Sequence, residues 1–238
     1  MRDRDRPEQQ LDQLFADGWP AFITADQVVE EHIGTVRRLF ADLELVLLDS
    51  DDVLVAAGWA VPIRWDGEPA HLPEGYSDSL VRAVREHERG DRANTLVIMA
   101  AQVHPERRGR GLAGELLTAM RRLAAQRGWP RAVAPVRPTL KSRYPLTPID
   151  RFASWVRDDG TLLDPWLRTH QRLGARVVAT APRSQTMTGT VQQWQDWTGM
   201  AFPDTGDYVI PEGLSTLHVD RAHDRGSYTE PNVWMQHQ

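Results

Sequence analysis

The chain has 238 residues, 41% of them apolar and 26% charged, with a formal net charge of −5 and no cysteine. That length can bury one good core, and the negative balance argues against nucleic acid, whose binding depends on basic surface. Without cysteine there are no disulfides, thiolate metal sites or thiol nucleophiles. In chain order, residues 1–12 are charged and read as a disordered end, leaving 13–238 as one folded unit. No apolar run follows the first ten residues as a secretory signal would require, and the longest apolar stretch, 53–61, is too short to span a bilayer. A cytoplasmic protein with no membrane contact is the expectation.

Residues 19–23 suit a first strand. Thr24 with Gln27 has the spacing of a capping box, and Val29, Ile33, Val36 and Phe40 follow on one helical face. Runs 43–48 and 53–63 read as strands joined by the acidic turn 49–52. Pro62 places the far end of the second strand on an edge or at a bulge. After a Gly- and Pro-rich loop at 64–76, Ser77 suits the cap of a helix reaching Arg89, and Gly90 closes it.

Residues 95–103, TLVIMAAQV, are apolar at nearly every position, as in a strand covered on both faces. The segment HPERRGRG turns the chain. Leu112, Ala113, Leu116, Leu117, Met120, Leu123 and Ala124 then mark one face of a helix that ends before Gly128 and Pro130. A buried strand, a glycine–arginine turn and a helix N-terminus together make a site for a phosphate-bearing ligand.

Residues 132–136 form a short strand. The irregular stretch 137–163 carries Pro138, Pro145 and Pro148, and its length suggests a functional loop in which Lys141 and Tyr144 are candidate substrate contacts. Asp164 and Pro165 open a helix to Leu173, with Gly174 ending it. A strand at 175–181, a capping box at Thr190 and Gln193, and strands near 214–219 and 232–237 complete the chain. His218, His223, Asp220 and Asp224 match no common zinc spacing, so no metal is expected. Trp194 and Trp197, at helical spacing, read as packing.

Arg108-Gly109-Arg110-Gly111-Leu112-Ala113, led by Val103-His104-Pro105-Glu106 and set between strand and helix, resembles the pyrophosphate turn of the GNAT superfamily of N-acetyltransferases. Thr169-His170-Gln171-Arg172-Leu173-Gly174-Ala175 is similar to the family segment that closes its fourth helix. The resemblance implies an α/β fold, a mixed and mostly antiparallel central sheet flanked by helices, with 182–238 as a C-terminal elaboration. It implies an acyl-coenzyme A donor, most simply acetyl-coenzyme A, held by Gln102, Val103 and residues 108–113, and direct transfer to the amine of a small molecule or peptide. Family habit also points to a homodimer.

Two family positions are filled differently. His170 stands where many members carry a tyrosine that protonates the leaving thiolate, which makes it the candidate general acid. The motif strand has no glutamate to act as base. These departures leave open a coenzyme-A-binding module that does no chemistry, or an enzyme for a longer or unusual acyl group.

Overall fold

The computed structural model describes residues 8–16 and 18–237. Of the expected disordered end, residues 1–7 lie outside that range. From Glu8 the chain is helical: α1, Glu8–Ala16, buries Leu11 and Leu14 against Leu54 and Ala57. Residues 19–23 do not make a strand. Ala21–Ala25 is a 3-10 helix that buries Phe22.

The helix α2, Gln27–Leu39, is capped by Asp26 rather than Thr24. One Asp26 oxygen accepts from the amides of Val28 at 3.0 Å and Val29 at 3.2 Å. A carboxylate is a stronger acceptor than a hydroxyl at a helix N-terminus, and Asp26 stands two residues nearer the first turn than Thr24. Strands β1, Glu44–Leu48, and β2, Leu54–Ile63, form the expected hairpin. Asp49 closes its turn by accepting from the amides of Asp51 and Val53. Pro62 is tolerated because β1 pairs with β2 only as far as Trp59, so no ladder bond is lost on that side. The next helix, α3, Tyr76–Glu88, has Gly75 as its N-cap with no side-chain cap, and the Ser77 hydroxyl donates instead to Asp26.

The central strand β3, Thr95–Val103, leads through its turn into α4, Leu112–Gln126, and then β4, Arg131–Val136. The 137–163 stretch is more ordered than its prolines suggest. It holds a 3-10 turn at Lys141–Arg143 and the short helix α5, Ile149–Ala153, whose Ile149 and Phe152 are buried. Asp164 caps α6, Pro165–Arg172, as expected, and also accepts from the Leu140 amide at 2.6 Å. Strand β5, Arg176–Gly189, is about twice the expected length. It is followed by α7, Val191–Thr198, with its capping box intact, then β6, Gly206–Val209, β7, Thr216–Asp220, and β8, Arg225–His237.

These strands form one sheet in the order β1-β2-β3-β4-β8-β7-β6, with β5 along the other edge of β8. Every pairing is antiparallel except that of β3 with β4. The main core packs α4 and α3 onto β2, β3 and β4 through Leu80, Ile63, Leu96, Leu116, Leu117 and Met120. A second core joins Phe22 to Met187, Trp194, Phe202, Leu217 and Tyr228, and so anchors the C-terminal elaboration to the segment before α2.

Asp26 ties three of these pieces together, since its second oxygen also accepts from the Thr186 amide of β5 at 3.3 Å. Replacing it strands two helix amides, a hydroxyl and a strand amide. Asp26→Ala is expected to lower unfolding free energy by about 2–3 kcal/mol, read as a shift of the urea midpoint. A midpoint within error of the parent would show that the carboxylate is dispensable.

Candidate active site

Strands β3 and β4 pair only at Thr95 with Arg131, Leu96 with Ala132, and Val97 with Val133. Beyond that they diverge, and residues 98–103 face 134–136 across a gap. Two features accompany the divergence. The register of β2 on β3 jumps from Ala100 opposite Trp59 to Ile98 opposite Ala60, leaving Met99 as a one-residue bulge. Pro135 has no amide to offer either edge. The gap exposes strand backbone to two adjoining cavities.

The first cavity, of about 750 Å³, lies over the glycine–arginine turn. Gln102, Val103, Arg108, Gly109, Gly111, Leu112 and Ala113, all named from the sequence, line it. Arg110 does not; it is exposed on the outer side of the turn. Gly109 and Gly111 have φ of +78° and +84°, a region that disfavours any residue with a Cβ. The space above both is open, as a chain wrapping round a ligand requires. Gly111 is the N-cap of α4, so the first amides of a 15-residue helix point into this space. The site fits a pyrophosphate, and the diverging strands beyond it fit an extended pantetheine-like arm.

The second cavity, of about 440 Å³, continues through the gap to the far side of the sheet. Trp19, Ala101, Arg137 and Trp166 line both cavities and mark where they meet. The far wall is aromatic: Trp59 and Tyr76 stand edge to face at 6.2 Å. Burial pushes the Tyr76 phenol up, so it stays a neutral hydroxyl. Among the described residues, the charged side chains lining this cavity are Arg37 and Arg137, and no carboxylate does so.

Arg137 is fixed by a buried network. Its Nε donates to Glu230, whose carboxylate is fully buried, and its Nη2 donates to the Glu212 carbonyl at 2.7 Å. The other Glu230 oxygen accepts from the Tyr228 hydroxyl. Burial raises the Glu230 carboxyl, and Arg137 opposes that. Lys141 belongs to this network rather than to a substrate loop. It is 1% exposed, with Nζ donating to the Tyr144 carbonyl at 2.8 Å and to Leu214 O. Burial lowers its pKa to about 8. Tyr144 packs its ring on Phe152 and Trp155, and neither Lys141 nor Tyr144 lines either cavity.

His170 lies in the wall of the second cavity, 1% exposed, with its ring edge to face on Trp166 at 4.6 Å. Its Nδ1 is 3.0 Å from Nε2 of His237, and its own Nε2 has no protein partner among the described residues. Burial, then the neighbouring His237, lowers its pKa to about 3, and burial with the Arg121 charge lowers His237 to about 4. Such an imidazole is neutral at physiological pH. A proton given to the leaving thiolate, the role expected of His170 from the sequence, would come from a neutral N–H rather than from an imidazolium.

Sequence reasoning passed over Arg137, Glu230 and His237. Arg137 carried a faint signal, an arginine directly after the apolar strand at 132–136. The other two sit in β8, far along the chain, and only the pairing of β8 with β4 brings them here.

No family model matches the chain. It is 32% identical to the arginine N-acetyltransferase avaD of Aspergillus versicolor over 97% of this chain and 87% of that protein. Two solved structures share its fold. One is the loading GNATL domain of CurA from Lyngbya majuscula, with a TM-score of 0.59 at 17% identity, covering 97% of this chain and 92% of that one. The other is the GphF GNAT-like decarboxylase in complex with isobutyryl-CoA, with a TM-score of 0.58 at 20% identity, covering 100% and 98%.

Two outcomes follow from this geometry. Gly111→Trp should abolish coenzyme A binding in calorimetry while leaving the circular dichroism spectrum unchanged; normal binding would remove the pyrophosphate from this turn. The imidazole pair makes stability rise with pH. Unfolded histidines take up protons below about pH 6.5, whereas the folded pair resists protonation until about pH 4 and then about pH 3. Their full contribution is therefore present above about pH 6.5 and declines as pH falls through the window below it, by up to about 1.4 kcal/mol per pH unit for each ring. Urea titrations of His237→Gln between pH 7 and 4.5 should show a shallower loss than the parent. Parallel slopes would contradict the buried neutral pair.

Proposed function

The chain belongs to the GNAT superfamily of N-acetyltransferases, and we propose that its acceptor is the α-amine of a free amino acid, arginine first. It is an acyl-coenzyme A-dependent N-acyltransferase, moving an acyl group from coenzyme A to an amine. The observation that carries the reading is the second cavity: arginine side chains and aromatic walls, with no carboxylate among its described lining residues. The 32% identity to an arginine N-acetyltransferase supports the same acceptor.

An amino acid suits such a cavity through its carboxylate, and free arginine must in addition place its guanidinium in the wall that holds Arg37. Its carboxylate pairs with the Arg137 guanidinium, which Glu230 holds at the junction of the cavities. Its own guanidinium stays protonated and is no nucleophile, and it finds the faces of Trp59 and Tyr76. The α-amine is then left near the gap between β3 and β4. An apolar cavity disfavours its ammonium form, which helps explain how a strand without a glutamate serves. Deprotonation is favoured by the surroundings instead of by one named base.

Residues 102–103 and the 108–113 turn hold the donor, and Arg110 adds charge at its rim without lining it. Amides of β3 beyond Val97 polarise the thioester carbonyl, having no strand partner on that side. His170 helps to wall the acceptor side of the gap. Holding both reactants at the gap in the sheet is the larger part of the catalysis, since the attack is direct.

The acceptor reading is tested by comparing arginine with agmatine, which lacks the carboxylate, following free thiol from acetyl-coenzyme A. The loss of one charged pair is expected to lower kcat/KM by about tenfold to a hundredfold. Agmatine turned over as well as arginine would rule out the carboxylate contact. Tight coenzyme A binding without turnover of any amine would contradict the activity itself.

A further inference from the structure

Donor and acceptor have to meet where the two cavities join, and four residues line both: Trp19, Ala101, Arg137 and Trp166. Three of them are held in place by the fold. Ala101 belongs to β3, Arg137 is clamped by Glu230, and Trp166 packs on the main core with its ring edge to face on His170 at 4.6 Å. Trp19 is different. It is half-buried, yet among the described residues it is the one tryptophan that packs on none of the three buried clusters, and its indole nitrogen has no hydrogen-bond partner there.

The backbone of Trp19, by contrast, is anchored on both sides. The preceding helix α1 is fixed by Leu11 and Leu14 against Leu54 and Ala57. Gly18 lies directly on β3: a Cβ there would fall 2.0 Å from Nε2 of Gln102, so no larger residue fits without moving that side chain. On the other side, Pro20 disfavours helical backbone at Trp19, and Phe22 is buried in the second core. An indole carries a large apolar face. One delivered to the meeting point of two cavities by an anchored backbone, and packed on no core of its own chain, is surface offered to a bound molecule.

We propose that Trp19 is the specificity-determining residue of the acyl subsite: its indole and that of Trp166 bound the junction, which admits an acetyl-sized group and turns away longer chains. This rests on the reading that the pyrophosphate lies over the glycine–arginine turn and the amine in the second cavity. The thioester carbonyl must then come within bonding reach of the amine at the junction, and its acyl chain comes with it. Gly18, seated on Gln102, ties Trp19 to the β3 side of the gap. Asp164 caps the helix that carries Trp166 and also accepts from Leu140, just beyond β4, which ties that indole to the other side. A longer chain meets both indoles. The way left to it runs into the second cavity, where it takes the place of the amine.

The test has two arms on the full chain, and neither requires an acceptor. In 15N–1H spectra of the indole N–H groups, the Trp19 signal is identified by its loss in Trp19→Phe. It should differ between the coenzyme A and acetyl-coenzyme A complexes. An identical position in both would overturn the placement of this ring beside the acyl group. Indole signals unmoved by either ligand would overturn the donor site itself, and the subsite with it. In the second arm, calorimetry compares acetyl-coenzyme A with hexanoyl-coenzyme A. The parent should bind the hexanoyl donor about tenfold to a hundredfold more weakly, and Trp19→Ala should bring the two within about threefold, the scale on which an apolar pocket tells methylenes apart. Because Trp19 packs on no buried cluster, the variant should keep the parent's melting temperature. Should it fail to fold, Trp19→Phe, expected at an intermediate ratio, carries the comparison. A parent that binds both donors equally, or a ratio that the substitutions leave unmoved, would overturn the selectivity.

Discussion

The divergence of β3 from β4 after three residue pairs is the constraint on which the rest of the protein depends. A parallel pair held together along its whole length would satisfy its own amides and leave no room between the strands. Here the ladder stops at Val97. The Met99 bulge turns β3, Pro135 withholds a donor, and β4 takes its partner from β8 on the other side. Backbone groups that would ordinarily bind a strand are thereby offered to a ligand. Both cavities open from this one interruption.

Charge is arranged around the same gap with unusual economy of exposed groups. Glu230 is fully buried, yet both its oxygens are used, by Arg137 and Tyr228. A buried carboxylate and guanidinium rarely add net stability, because desolvation offsets most of their attraction. What they gain is a fixed direction. Arg137 reaches the meeting point of the cavities because Glu230 and the Glu212 carbonyl leave it no other place. Lys141 is held similarly, by carbonyls of Tyr144 and Leu214, and serves the network from behind.

The parts of this arrangement that were legible in the sequence are those whose determinants are local. The 95–127 strand, turn and helix declare themselves by periodicity and by two glycines at positive φ. The caps at Asp164 and Thr190 are read from neighbouring residues and stand as expected. Errors arose where a distant partner decides. Asp26 outcompetes Thr24 because it also serves Ser77 and Thr186 from elsewhere in the fold. The 19–23 segment has strand composition but packs as a short helix, since Phe22 is claimed by Trp194 and Tyr228. Lys141 looks like an exposed loop cation until Leu214 is brought beside it. His237 gains meaning only through the register that sets β8 on β4 and β5.

Strand β8 makes this dependence concrete. It pairs with β4 and β7 along one edge and with β5 along the other, and it carries Tyr228, Glu230, Asn232 and His237. Its partner β4 ends at Val136, while β8 begins at Arg225, so the loop closed by their pairing is long. Such contacts form slowly, since closure entropy must be met before any pair forms. A species with β1 to β4 assembled and β8 still free would have the glycine turn and even its helix. It would lack the clamp on Arg137 and the partner of His170. Donor binding and turnover should thus appear at different moments during refolding, the first with the local hairpins and the second only when the long-range strand arrives.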